Sequence, residues 1–200
     1  MGARQPVCIA PTCFFLDEFI PKDEPAEFSL FHIGAMDWMP NTMGLKWFIK
    51  EVWSKVTQSH PQIKLYLAGN KMPKDFFDYN SETVHVEGRV DDAKEFMAAH
   101  SVMIVPLLAG SGIRVKIVEG MAMGKPIIST SQGAEGLKYE NKKNILIADT
   151  AEQFYACIIE CYQSFELRKS LGNNARELAS SHYNMSRVGE KVFQFYKSLI

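Results

Sequence analysis

No apolar run in this 200-residue chain approaches the ~20 residues that a bilayer-crossing helix needs, so no membrane-spanning segment is expected. An excess of either charge is missing too. The 22 basic and 23 acidic side chains are mixed along the chain and leave a formal charge of -1. That balance excludes a broad basic face for a nucleic acid backbone, and any anionic ligand must be caught locally. The opening MGARQPVCIAPTCFFLDEF lacks the continuous apolar stretch of a secretory signal. Although the chain starts Met1-Gly2, Pro6 stands where an N-myristoylation motif wants Ser or Thr. A cytoplasmic protein is expected, peripheral to a membrane only through some other domain. Cysteine is limited to Cys8, Cys13, Cys157 and Cys161 with no Cys-x-x-Cys among them, which reads as free thiols in a reducing compartment. The five histidines form neither His-Glu-x-x-His nor a zinc-spaced cluster, so no metal site is expected. There is no repeat at solenoid spacing and no low-complexity tract.

What the chain does contain is alternation. The apolar segment FSLFHIG (28–34) reads as a buried strand, and Asn41 is placed to cap a long helix through GLKWFIKEVWSKVTQ, with Leu45, Phe48, Ile49, Val52, Trp53 and Val56 at helical spacing. IKLYLAG, TVHVEG, SVMIVP, PIIST and NILIA then read as strands, separated by the helical segments PKDFFDYN, DDAKEFMAAH and IRVKIVEGMAM. Short connections between alternating strands and helices imply parallel strands joined by right-handed crossovers, an α/β Rossmann-like sheet with helices on both faces. From residue 151 the pattern is helical only. The boundaries read as an irregular lead-in over 1–27, an α/β domain over 28–184, and a closing helix over 185–200. The last places Val188, Val192, Phe195, Tyr196 and Leu199 along one side and needs something to lie on.

Residues 110–130 read GSGIRVKIVEGMAMGKPIIST, a glycine-broken turn entering a helix whose only charges are Arg114, Lys116 and Glu119. The first amides of a helix lack internal partners and carry partial positive charge, so a start approached through Gly110, Ser111 and Gly112 can hold phosphate oxygens. Arg114 and Lys116 add full charge, the first as a fork and the second as a point charge. A carboxylate beside phosphates needs another use for its oxygens, and for Glu119 a ribose diol provides one. A purely structural reading also fits these residues: a buried helix whose Arg114 and Lys116 reach solvent while Glu119 pairs with Lys116.

The run VPLLAGSGIRVKIVEGMAMGKPIISTSQGAEGL resembles the donor-binding signature of the group 1 (family 4) glycosyltransferases. The likeness extends to FHIGAMDWMPNTMGLKWFIKEVW, LYLAG and the closing HYNMSRVGEKVFQFY. The resemblance implies the C-terminal half of a GT-B fold, which binds a nucleotide diphosphate sugar and transfers the sugar with retention, using no metal or other cofactor. Its implied partner is an acceptor-binding N-terminal domain that this chain lacks, to which the closing helix crosses back. Met1 then reads as a boundary rather than a natural start, and the chain alone as an inactive half.

Carried onto this sequence, the resemblance places Glu119 as the second glutamate of a Glu-x7-Glu motif, on the ribose. Ser111 stands where the first glutamate should be. Gly112 and Ile113 present backbone amides to sugar and phosphate, Gly34 follows the first strand, and Gly88, Arg89 and Val90 form the loop that meets the nucleobase. The Gly-Arg and later Lys that many relatives use for the diphosphate are absent: Ala35 follows Gly34, and Pro40 or Asn41 holds the lysine's place. Arg114 and Lys116 are the candidates to replace that charge. No residue is assigned as catalytic. His32 reads as a satisfied core histidine, Trp38 as packing, and Arg89 either as a base contact or as a solvated partner of Asp91 or Asp92. A two-domain dinucleotide oxidoreductase is excluded because HIGAMDW lacks Gly-x-Gly-x-x-Gly. A non-catalytic nucleotide-binding or assembly module is the alternative.

Overall fold

The computed structural model describes residues 6–199. The Met1-Gly2 start and the final residue of the closing helix lie outside the described residues. Six strands form the sheet: β1 (Ser29–Ile33), β2 (Lys64–Ala68), β3 (Val84–Gly88), β4 (Val102–Val105), β5 (Ile127–Ser129) and β6 (Leu146–Ile147). All pair in parallel, in the order β3-β2-β1-β4-β5-β6. This is the doubly wound arrangement expected from the alternation, and the strand order reverses direction between β1 and β4.

The strands are near-continuous apolar runs because both faces of the sheet are covered, and their side chains alternate between two cores. Leu30 belongs to one and its neighbour Phe31 to the other; Ile104 and Met103 divide in the same way. On the first face lies a helix that runs from α1 (Met39–Trp47) through a π-helical stretch (Phe48–Trp53) into α2 (Ser54–Ser59). It buries Leu45, Phe48, Val52 and Val56 there. α3 (Ala93–Ala98) and α4 (Val115–Ala122) cover the second face with Met97, Ile117 and Met121. At about 1.5–3 kcal/mol for each large side chain taken from water, these two layers supply the main drive to fold.

After β6 come α5 (Ala151–Gln163), α6 (Phe165–His182) and α7 (Met185–Lys197). Thr150 and Gln153 form a capping box at the start of α5, and Ser164 both ends α5 and caps α6. Along α7, Val188 is buried while Phe193 and Tyr196 remain exposed, as does Leu199 just beyond its end.

One local expectation is corrected. Asn41 does not cap α1: the helix begins two residues earlier at Met39, behind Trp38, with Pro40 in its first turn. Proline fits that position because its missing N–H would be unpartnered there in any case. The lead-in is also more integrated than its composition suggests. Leu16 and Phe19 are buried in the second core, and Phe14 pairs with the chain around Asn184 through Phe14 N to Tyr183 O and Met185 N to Phe14 O, both 2.9 Å.

Candidate functional site

In an open parallel sheet the connections leave in opposite directions on either side of the order reversal, which opens a crevice at the carboxyl ends of the strands flanking it. Here those strands are β1 and β4. The loop after β1 brings Gly34 and then Trp38; the loop after β4 brings residues 110–114 into the start of α4. Glycine is required in both. Gly110 and Gly112 have φ of +107° and +87°, values that side-chain-bearing residues adopt only under strain. At Gly34 a Cβ would stand 2.9 Å from the Asn41 side-chain nitrogen and 3.1 Å from the Lys116 amine.

Lys116 is the centre of the site. From the first turn of α4 its Nζ donates to Asn41 Oδ1 at 2.6 Å and reaches His32 Nε2 at 3.3 Å. Asn41 in turn donates from Nδ2 to Ala35 O at 2.8 Å, and His32 Nδ1 lies 3.0 Å from Ile104 O. Burial, and to a lesser degree the Arg114 charge, pushes the Lys116 amine down to about 7. Burial followed by the Lys116 charge holds His32 well below its ordinary range, against the Ile104 carbonyl, so the imidazole is neutral.

Arg114 is 7% exposed and forms the N-cap position of α4. Its Nη1 donates to the carbonyls of Ser111 and Gly112, and its guanidinium carbon lies 5.0 Å from the centre of the Trp38 ring. Its Nε and Nη2 are buried and, among the described residues, have no partner. Among the described residues, neither Arg114 nor Lys116 takes part in an ion pair. Among the described residues, the backbone amides of Gly112, Ile113 and Arg114 donate to no main-chain carbonyl. Arg114, with two buried and unpartnered guanidinium nitrogens, and Lys116 thus stand together at the start of α4, where their chemistry and that of the helix-start amides suit an anionic ligand.

The remaining sequence candidates lie in the loop before α4, along α4 and in the loop after β3. Ser111 and Gly112 are exposed at the lip, Ile113 is half-buried against the second core, and Gln132 Nε2 anchors the loop through Gly110 O at 2.6 Å. Glu119 is not the partner of Lys116. It lies half-buried one turn further along α4, where burial raises its carboxyl above the usual range and Lys94 of α3 opposes that rise. Gly88 ends β3 with φ +66°, Val90 is half-buried, and Arg89 is exposed and, among the described residues, paired with neither Asp91 nor Asp92. Asp92 caps α3 through the amides of Lys94 and Glu95. Asn41, His32 and Trp38 are site neighbours that pattern reading assigned to a cap, the core and packing. The available signal for Asn41 was its place in the segment after the first strand.

The family model described as glycosyl transferases group 1 matches residues 27–164. An uncharacterized 44.6 kDa protein in the cps region of Klebsiella pneumoniae is 24% identical over 197 residues, covering 90% of this chain and 51% of that protein. An uncharacterized glycosyltransferase of Methanocaldococcus jannaschii is 34% identical over 111 residues, covering 54% of this chain and 31% of that protein. The chain thus spans between about a third and a half of the length of these curated relatives. Among solved structures, HepE of Anabaena in complex with UDP and glucose matches with a TM-score of 0.71 at 17% identity, covering 93% of this chain and 55% of that one. The C-terminal domain of a group 1 family glycosyl transferase (LpcC) from Francisella tularensis matches with a TM-score of 0.69 at 15% identity, covering 86% of this chain and 99% of that one. At these identities the structural likenesses establish the fold, the C-terminal half of GT-B.

Proposed function

This chain belongs to the group 1 glycosyltransferases, and from that premise we propose that it is the donor half of a retaining enzyme, seating a nucleotide diphosphate sugar at the β1–β4 crevice. The observation that carries the reading is the unneutralised pair Arg114 and Lys116 at the open start of α4. The diphosphate would lie against Lys116, the free N–H groups of Arg114 and the amides of Gly112 and Ile113. Glu119 would accept from the ribose hydroxyls, Gly88, Arg89 and Val90 would border the base, and Ser111 would offer the sugar a hydroxyl where relatives offer a carboxylate. The related structure of HepE with UDP-glucose supports this class of ligand.

The same contacts would serve the chemistry. As the anomeric bond breaks, negative charge gathers on the departing diphosphate, and cations already fixed in place stabilise it without reorganising. No metal is needed for that role. The acceptor and any base would come from an N-terminal domain, to which α7 would cross, and this chain alone would bind nucleotide without turning over.

Calorimetric titration with UDP, GDP and ADP is the test. One of the three is expected to bind, and Arg114→Ala combined with Lys116→Ala to abolish that binding while the circular dichroism spectrum is unchanged. Binding of none would overturn the donor reading and leave the assembly module in its place; affinity unchanged in the double variant would remove Arg114 and Lys116 from the site.

A further inference from the structure

His32 is buried as a core histidine should be, yet only one of its ring nitrogens faces the core. A carbonyl oxygen can only accept, so the 3.0 Å contact with Ile104 O puts the ring hydrogen on Nδ1. Nε2 therefore carries a lone pair, and the Lys116 amine donates to it at 3.3 Å. The same logic fixes Asn41. Its amide nitrogen must be the end that donates to Ala35 O at 2.8 Å, which leaves the oxygen to accept from Lys116 at 2.6 Å. Two main-chain carbonyls, one from β4 and one from the loop after β1, thus set the orientation of two side chains that between them hold one amine. An ammonium has three hydrogens. With two engaged, the third is free, and Gly34 leaves room beside it, since a Cβ there would stand 3.1 Å from the nitrogen.

We propose that His32 and Asn41 are positioning residues of donor binding, which hold the Lys116 amine at the crevice as a diphosphate anchor that takes up a proton when the nucleotide arrives. The inference rests on the donor reading of the site. Its physical basis is the set of groups facing Lys116: from β1 the neutral His32, from α1 the uncharged Asn41, from the loop before its own helix the cation Arg114, and no carboxylate within ion-pair distance among the described residues. Two neutral acceptors can orient an amine but cannot neutralise an ammonium. With its midpoint at about 7, the ligand-free amine is mostly unprotonated at pH 8. An anion in contact favours the charged form by about 1–3 pH units.

The experiment is calorimetric titration of the whole chain with UDP, GDP and ADP at pH 8, where the nucleotide phosphates are already ionised, in Tris and in Hepes. The difference in observed heat between these buffers reports proton uptake. Wild type is expected to take up roughly 0.4–0.9 proton per nucleotide, and Lys116→Met none. His32→Phe keeps the ring shape and loses the acceptor. It should bind about tenfold more weakly at pH 7, with its affinity falling away from a lower pH than in wild type. In His32→Gln the side-chain oxygen can reach the position of Nε2, and both properties should return toward wild type. Asn41→Leu tests the other half of the cradle with the same expected losses, should His32→Phe fail to fold. Equal proton uptake by Lys116→Met, or a pH profile unmoved in the folded positioning variants, would overturn the inference while nucleotide binding persists. Wild type binding none of the three nucleotides would overturn the donor reading and this inference with it.

Discussion

A lysine held by neutral partners affects folding as well as binding, and the sign of that effect is fixed by the direction of its shift. Lys116 is pushed down to about 7 in the folded chain, whereas an unfolded lysine titrates near 10.4. Between these values the unfolded state binds more protons, so this group makes the ligand-free fold more stable as pH rises from 7 toward 10, a gain lost again as pH falls through the folded midpoint. Urea unfolding at pH 7 and pH 9.5 should show wild type gaining stability relative to Lys116→Met; parallel changes in the two proteins would mean that the amine is not desolvated. Gly34 tests the same cradle from below. A Cβ there meets Asn41 Nδ2 at 2.9 Å and Lys116 Nζ at 3.1 Å, so Gly34→Ala should leave the melting temperature within a few degrees and weaken nucleotide binding about tenfold, since a displacement near 1 Å in a binding constellation is costly. Undiminished affinity would show that the amine can shift at no cost.

At the scale of elements, α1 carries Asn41 to the crevice only because it packs directly on the β4 exit. A Cβ on Gly44 would stand 2.1 Å from the carbonyl oxygen of Pro106, backbone against side chain with nothing flexible to yield. Gly44→Ala should therefore part the helix from the loop, at about 2–3 kcal/mol for the overpacking. That is a fall of very roughly 5–10 °C in melting temperature for a chain of this size, together with weaker nucleotide binding; an unchanged melting curve would count against the packing described. This helix also marks how far the sequence could be read. Its apolar spacing disclosed the face that lies on the sheet, and the strands were legible because a parallel sheet covered on both sides demands short apolar runs ended by glycine. The π-helical stretch Phe48–Trp53 was not legible, because one widened turn barely disturbs an apolar periodicity. Asn41 looked like a cap because its residue type favours caps, while Pro40 had already started the helix. Arg114, Lys116 and Glu119 could be named from one segment, but not the cradle. Lys116 and His32 are 84 positions apart and Lys116 and Asn41 are 75, and only the β1–β4 pairing brings them together.

Across the whole molecule, the less exposed cations at the two ends of the sheet have different partners. At the amino ends of the strands the cations are engaged by protein: Lys125 donates to Ala98 O and His100 O, Arg168 pairs with Glu24, and Arg176 donates to Phe19 O and Ala122 O. The contacts of Arg168 and Arg176 bind the lead-in to α4 and α6, and with Leu16 and Phe19 it helps to close the second core. At the carboxyl ends the exposed Lys71 pairs with Asp37, whereas Arg114 and Lys116 have no carboxylate partner among the described residues. An anion should therefore strengthen one end of the sheet and leave the other as it was. The lead-in gives a separate handle on that division. Arg176→Met keeps most of the apolar stem and removes the charged donor from two carbonyls, which should cost about 1.5–3 kcal/mol and expose the lead-in to protease before the rest of the chain. Brief trypsin digestion followed by mass spectrometry should find first cuts at Lys22 in the variant and not in wild type. Because the crevice lies at the opposite end of the strands, the surviving core should bind nucleotide with wild-type affinity. Joint loss of both properties would show that the lead-in supports the site, and that the two ends of the sheet are not independent.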